Sequence, residues 1–135
     1  MKSVFIQGLA VLVLMARVGT ASDQQLKVLH SFNGGRDDNG RSPCGALTIS
    51  GARVYGVTQW GGSNNCGVVY GMNEDGSDFQ ILHTFSGGCG DGDQPSGTLA
   101  VSADVLYGMT LKGGLSDKGV VFKVNSDGTG FEVLH

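Results

Sequence analysis

One internal spacing constrains this sequence more than any other feature. Residues 43–83 align with residues 95–135 at a constant offset of 52 and without a gap, and 18 of the 41 aligned positions are identical. The identical pairs include Tyr55/Tyr107 and Phe79/Phe131. Self-similarity at a fixed period of 20–50 residues is typical of repeat architectures.

The repeat also extends upstream of the gap-free region. Residues 28–35 (VLHSFNGG) match residues 81–88 (ILHTFSGG) at an offset of 53. We therefore divide residues 22–135 into two tandem units, at about 28–79 and 80–131, with the start of a third motif at 132–135.

Each unit predicts four short antiparallel strands. Apolar residues alternate with polar ones in segments such as 46–50, 53–58, 67–73 and 79–85, which is the period of a half-buried strand. The 24 glycines and only 2 prolines fit a protein with many tight turns and disfavour helices. With residues 28–32 the chain has nine predicted strands. The predicted fold class is all-β, with tandem four-stranded antiparallel sheets as two β-propeller-type blades of an incomplete propeller.

The first 21 residues predict a signal peptide. Lys2 is followed by the apolar run Val4–Met15, and Gly19, Thr20 and Ala21 provide small residues for cleavage. The alternative, an uncleaved membrane anchor, is disfavoured because the run is shorter than the roughly 20 residues that span a bilayer. We expect a secreted or cell-surface protein that has no membrane segment after cleavage.

The charge of the chain disfavours polyanionic partners. The sequence has 9 basic and 12 acidic residues and no basic cluster, so a nucleic-acid partner is not expected.

The sequence resembles a known family. The patterns VLHSF-x-GG, P-x-G-x-L, LYG-x-T-x-x-GG and G-x-VFK-x-N-x-DGT-x-F-x-VLH are similar to the GloVer-type tandem repeat of exported bacterial proteins. The match is best over Leu106–His135, and the first unit departs from it at Tyr70-Gly71-Met72. The resemblance implies export, often with a C-terminal surface anchor, and a propeller-like fold, and it implies no enzyme activity.

Propellers contain about four or more blades, which two units do not supply. We expect either that the chain is a partial copy of a longer protein with further repeats, or that it self-associates to complete a ring.

Alternating strand direction sorts the connections onto two edges. Short turns are predicted at 50–53, 74–78, 102–104 and 126–130, and longer connections at 33–45, 59–66, 86–97 and 111–118. The longer connections differ between the units, and binding residues are commonly found on such loops. We predict ligand-binding residues on that edge, namely Trp60, Asn64, Asn65, Asp91 and Asp93.

The three cysteines have no cysteine counterparts in the other unit. In an exported protein we expect one disulfide, for which Cys44–Cys66 is favoured and Cys89 is an alternative partner; three free thiols also remain open. No C-x-x-C spacing suggests zinc, and we expect no metal or cofactor.

No catalytic group can be named. Three histidines recur at one repeat position, namely His30, His83 and His135. Two aspartates lie in Asx-Gly turns, namely Asp75 and Asp127. We expect structural roles for all five residues.

The leading hypothesis is a secreted non-enzymatic module that binds a glycan or an extracellular protein. The alternative is a fragment of a propeller-type polysaccharide hydrolase that uses loop carboxylates from the acidic clusters Asp37-Asp38 and Asp91/Asp93.

Overall fold

A computed structural model of this protein describes residues 4–6, 9–13, 25–34 and 39–135. These residues form eleven strands and no helix, so no described helix could cross a membrane. The strands are β1 (Val4–Ile6), β2 (Leu9–Val13), β3 (Val28–Phe32), β4 (Arg41–Ser50), β5 (Arg53–Trp60), β6 (Val68–Asn73), β7 (Gln80–Thr84), β8 (Gly92–Ser102), β9 (Val105–Gly113), β10 (Val121–Asn125) and β11 (Glu132–Val133).

The strands form three antiparallel sheets, each made of consecutive strands. The N-terminal sheet has the order β1-β2-β3, the first sheet β4-β5-β6-β7, and the second sheet β11-β10-β9-β8. The prediction of an all-β chain with tandem four-stranded antiparallel sheets is confirmed, and consecutive strand order is what a propeller blade has. The predicted signal peptide, residues 1–21, lies outside the described residues except for the backbone of β1 and β2.

The first strand of each four-stranded sheet is longer than the sequence pattern predicts. Strand β4 begins at Arg41 rather than at Ala46, because the register shifts between Cys44 and Thr48. Gly45 lies inside this irregularity with a φ of 79°. A bulge of this kind interrupts the alternation of apolar and polar residues, so the segment reads as a loop in the sequence.

The sheets are out of phase with the sequence units by one strand. Strand β7, which the sequence division places at the start of the second unit, is the last strand of the first sheet, and its His83 lies opposite Val69 of β6. Strand β3 carries the same VLHSF-type motif and pairs with β2, where Leu12 lies opposite His30. The motif therefore marks the end of a sheet.

Two apolar clusters hold the sheets together. The larger lies between the first and second sheets and consists of Tyr55, Val57, Val69, Leu82, Phe85, Leu99, Leu106, Phe122 and Val124. The smaller lies on the other side of the first sheet, where β3 covers it, and consists of Phe32, Val54, Val68, Tyr70 and Met72. Burying each large apolar side chain contributes about 1.5–3 kcal/mol, so the stack of sheets is the main source of stability.

An aromatic stack recurs at each junction between sheets. The ring of His83 in β7 stacks on Phe131 of the second sheet, with centroids 3.5 Å apart and planes within 4°. The ring of His30 in β3 stacks in the same way on Phe79 of the first sheet, at 3.7 Å. The same pair of residue types thus joins the last strand of one sheet to the next sheet twice.

Direct hydrogen bonds also join the first strands of the two four-stranded sheets. The Thr48 hydroxyl donates to the carbonyl of Leu99 at 2.5 Å, and the Cys44 thiol lies 3.3 Å from the carbonyl oxygen of Pro95. These bonds fix the two sheets side by side, so that their longer connections emerge at one edge.

Candidate functional site

The longer connections of the sheets form one edge of the molecule, called here the long-loop rim. It consists of residues 61–67, 85–91 and 114–120, together with the connection between β3 and β4, of which residues 33–34 and 39–40 are described. Because the strands extend further than expected, Trp60 and Asp93 lie at strand ends beside the rim.

Trp60 and Asn64 lie on the rim of the first sheet. Trp60 is the last residue of β5, is partly exposed, and lies opposite Arg41 of β4. Asn64 is exposed on the 61–67 loop, where its amide nitrogen lies 3.4 Å from the Ser63 hydroxyl. Both side chains are accessible to solvent, which suits residues that meet a ligand.

Asn65 has a structural task in the same loop. Its side-chain oxygen accepts a hydrogen bond from the Gly61 N–H at 3.1 Å, and its own φ is 56°. Asp117, its counterpart in the second sheet, accepts from the Gly113 N–H at 2.9 Å with a φ of 50°. Asx side chains tolerate this backbone region. The sequence predicts Asn65 as a ligand-binding residue, and in the structure its side-chain oxygen accepts the bond that closes the loop.

Asp91 is held by several donors of its own loop. Its carboxylate accepts hydrogen bonds from the Ser86 N–H at 2.8 Å, the Ser86 hydroxyl at 2.9 Å and the Gly92 N–H at 2.7 Å, and it lies 3.3 Å from Nε2 of His83. Burial raises the pKa of Asp91, but the hydrogen bonds from His83, Ser86 and Gly92 outweigh it, so the net pKa lies below the ordinary value. Asp91 is therefore an ionised loop anchor.

Asp93 lies beside the Cys66 thiol at the boundary between the two sheets. Burial raises the pKa of this thiol, and the charge and hydrogen bond of Asp93 and the charge of Asp91 raise it further. The thiol is thus kept protonated, which makes it a poor nucleophile. Oδ1 of Asp93 is buried and has no hydrogen-bond partner among the described residues.

All three cysteines are free thiols in the structure. Cys44 and Cys66 are partly buried and Cys89 is exposed. The favoured Cys44–Cys66 disulfide is not formed in this structure, where the Cys44 thiol contacts the Pro95 carbonyl and the Cys66 thiol the Asn64 carbonyl. Pairing in an oxidised sample stays a prediction.

A cleft that the sequence pattern does not predict lies on the rim of the second sheet. The cleft has a volume of about 640 Å³ and is lined by the 114–120 loop, by Cys89 and by the last residues of the chain. Leu115 lines it with 93% of its surface exposed. Its counterpart in the other unit is Ser63, and an apolar residue in a loop of glycines and polar residues is the signal that could have identified it.

The remaining polar candidates have local partners. Oδ1 of Asp75 accepts from the Ser77 N–H at 2.9 Å, and Oδ1 of Asp127 from the Thr129 N–H at 2.9 Å, as expected for Asx turns. Asp37 and Asp38 lie outside the described residues. Among the described residues, no cluster of three or more His, Cys, Asp or Glu side chains could hold a metal ion.

The structure thus brings together some of the predicted residues and separates others. Cys66 links Asn64 and Asp93 on one part of the rim, and Asp91 adjoins them through its charge. No described hydrogen bond connects Trp60 with either aspartate.

Comparison with known proteins gives one match. Residues 16–135 match the family model described as the Gloeobacter/Verrucomicrobia repeat. No curated protein and no solved structure matches the chain.

Proposed function

Because the chain belongs to the Gloeobacter/Verrucomicrobia repeat family, we propose that it is an exported, non-enzymatic β-repeat module. Its long-loop rim binds a glycan or an extracellular protein. Export rests on the signal-peptide pattern of residues 1–21.

The observation that carries the proposal is where the two units differ. Core positions stay apolar in both units, whereas some rim positions change in chemical type, from Trp60 to Lys112, from Ser63 to Leu115 and from Cys66 to Lys118. Loops that vary on a fixed scaffold commonly carry recognition. The exposed Leu115 beside the 640 Å³ cleft and the partly exposed Trp60 supply apolar surface that a sugar ring or a peptide side chain can contact.

The alternative, a polysaccharide hydrolase that uses Asp91 and Asp93, has less support. A general acid in such an enzyme needs a raised pKa. The pKa of Asp91 is lowered, and both of its oxygens accept hydrogen bonds. We therefore assign Asp91 to loop structure.

Binding to a glycan array and pull-down from the secreted fraction of the source cells test the proposal. We expect Trp60→Ala or Leu115→Ser to reduce binding at least about tenfold, the effect of losing roughly 1.4 kcal/mol of contact energy. Glu74→Ala, at an exposed position in the short turn between β6 and β7 on the opposite edge, is the control and should bind normally. Hydrolysis of a bound polysaccharide that is lost in Asp91→Asn or Asp93→Asn would instead support the enzyme.

A further inference from the structure

One face of the second sheet is apolar and uncovered. Tyr107, Met109, Val121 and Leu134 are 37%, 60%, 37% and 45% exposed, respectively. Tyr107 lies opposite Lys123 in the pairing of β9 with β10, so the two side chains share this face. Lys123 forms an ion pair with Glu132 at 2.7 Å, which leaves the face with little net charge. Contiguous apolar surface of this kind marks an interaction site.

The counterparts of these residues in the first sheet are fully covered. Tyr55 and Val57, which precede Tyr107 and Met109 by 52 residues, are 3% and 2% exposed. Val69 and Leu82, the counterparts of Val121 and Leu134, are also buried. These four residues belong to the core between the two sheets. The free face of the second sheet therefore repeats a face that, one unit earlier, contacts another sheet.

The surface that covers this face in the first sheet also has a counterpart. The second sheet contributes Leu106, Phe122 and Val124 to the inter-sheet core, and the first sheet has Val54, Tyr70 and Met72 at the equivalent positions. A second copy of the chain thus carries the surface that complements the free face of the first copy.

In the structure β3 packs against this complementary surface through Phe32 and Leu29, and β2 and β1 continue the sheet of β3. Strand β2 pairs with β3 so that Leu12 lies opposite His30, just as β6 pairs with β7 so that Val69 lies opposite His83. Strands β1, β2 and β3 are neighbours in chain order within their sheet, as β5, β6 and β7 are within the first sheet. The backbone of the β1–β2 hairpin therefore takes the position of the middle strands of a preceding sheet.

We propose that the free face of the second sheet binds the first sheet of a second copy of this chain, and that the β1–β2 hairpin competes with that copy for the same position. The contact is head-to-tail, so it propagates to a closed ring or to a filament. This contact between copies does not involve the ligand that we propose for the long-loop rim. Removal of residues 1–21 on export would free the position, but the experiment below keeps these residues.

The test measures self-association of the full chain, produced in the cytosol so that the N-terminal residues are retained, by sedimentation velocity. Val11→Pro weakens the hairpin, because β2 is the middle strand of its sheet and proline removes a ladder hydrogen bond there. We expect this variant to associate at least about tenfold more tightly than the natural sequence. Adding Met109→Lys should reverse the gain, since a charge would be buried in the contact. Adding Ala103→Lys, at an exposed position in the short turn between β8 and β9, should leave it unchanged.

Three results would overturn the proposal. The Val11→Pro variant could remain monomeric at its highest soluble concentration, or Met109→Lys could leave the association intact. If Met109→Lys dissociates an assembly that Val11→Pro does not affect, the free face is an interface but the hairpin does not compete for it. Circular dichroism checks that each variant keeps its sheets, and Ala10→Pro replaces Val11→Pro if that variant loses them.

Discussion

The two tyrosines at one repeat position provide a matched test of the packing. Tyr55 is 3% exposed between the sheets and Tyr107 is 37% exposed on the free face, a difference of 34%. A tyrosine buries about 200 Å², so this difference is roughly 70 Å². At about 25 cal/mol per Å² it amounts to about 2 kcal/mol. We expect Tyr55→Ala to lower the free energy of unfolding by at least this much more than Tyr107→Ala, because a cavity adds to the transfer cost.

The assay is urea unfolding followed by the fluorescence of Trp60, the single tryptophan. It should be run at low protein concentration, so that self-association does not cover Tyr107. Equal losses for the two variants, or a larger loss for Tyr107→Ala, would show that the sheets do not stack through the Tyr55 face. The midpoint and the slope should both be compared, since a changed slope signals a change in the denatured state.

Three further predictions concern the glycines, the acid range and the thiols. Gly45 and Gly97 both have positive φ, so alanine strains either by about 1–2 kcal/mol. A Cβ at Gly45 would also overlap the backbone oxygen of Gly97, whereas a Cβ at Gly97 would meet open space. We therefore expect Gly45→Ala to have a lower melting temperature than Gly97→Ala. The reverse order would contradict the contact between β4 and β8. The pKa of Asp91 is lowered on folding, so its stabilisation is complete above the ordinary value of 3.8 and is lost as the pH falls through the folded value. Asp91→Asn should therefore melt at a lower temperature than the natural sequence at pH 7, and this difference in melting temperature should disappear under acid conditions. A difference that is the same at every pH would refute this. Iodoacetamide should label exposed Cys89 before Cys44 and Cys66, because burial raises the pKa of both of those thiols. Peptide mass mapping identifies the labelled cysteine, and labelling of Cys66 first would contradict its buried environment.

The sequence predicted the strands well where alternation is regular. Nine strands were expected from residue 28 onward, and β3 to β11 are nine. The start of β4 was missed because Gly45 adopts a positive φ inside the strand and breaks the period of two. The four strands predicted at 46–50, 53–58, 67–73 and 79–85 are those of the first sheet, whereas the unit bounds 28–79 and 80–131 divide the chain one strand earlier, because a repeat can be divided at any point.

The candidate site was harder to predict than the fold. Composition and loop position identified Asn65 and Asp91 as ligand-binding residues, but both have oxygen atoms that close their own loops. Such bonds depend on backbone N–H groups that converge only after folding, which a spacing pattern does not reveal. The exposed Leu115 was overlooked for the opposite reason, since an isolated apolar loop residue has no periodic pattern.

The stacked rings at the sheet junctions have a consequence for how such chains change in length. Each unit carries the histidine of one junction and the phenylalanine of the previous one, as His83 and Phe79 do in the first sheet. Gaining or losing one whole unit in the gene therefore leaves each histidine that is followed by another unit beside a phenylalanine. Unequal recombination can lengthen or shorten the array without a compensating mutation at the joints.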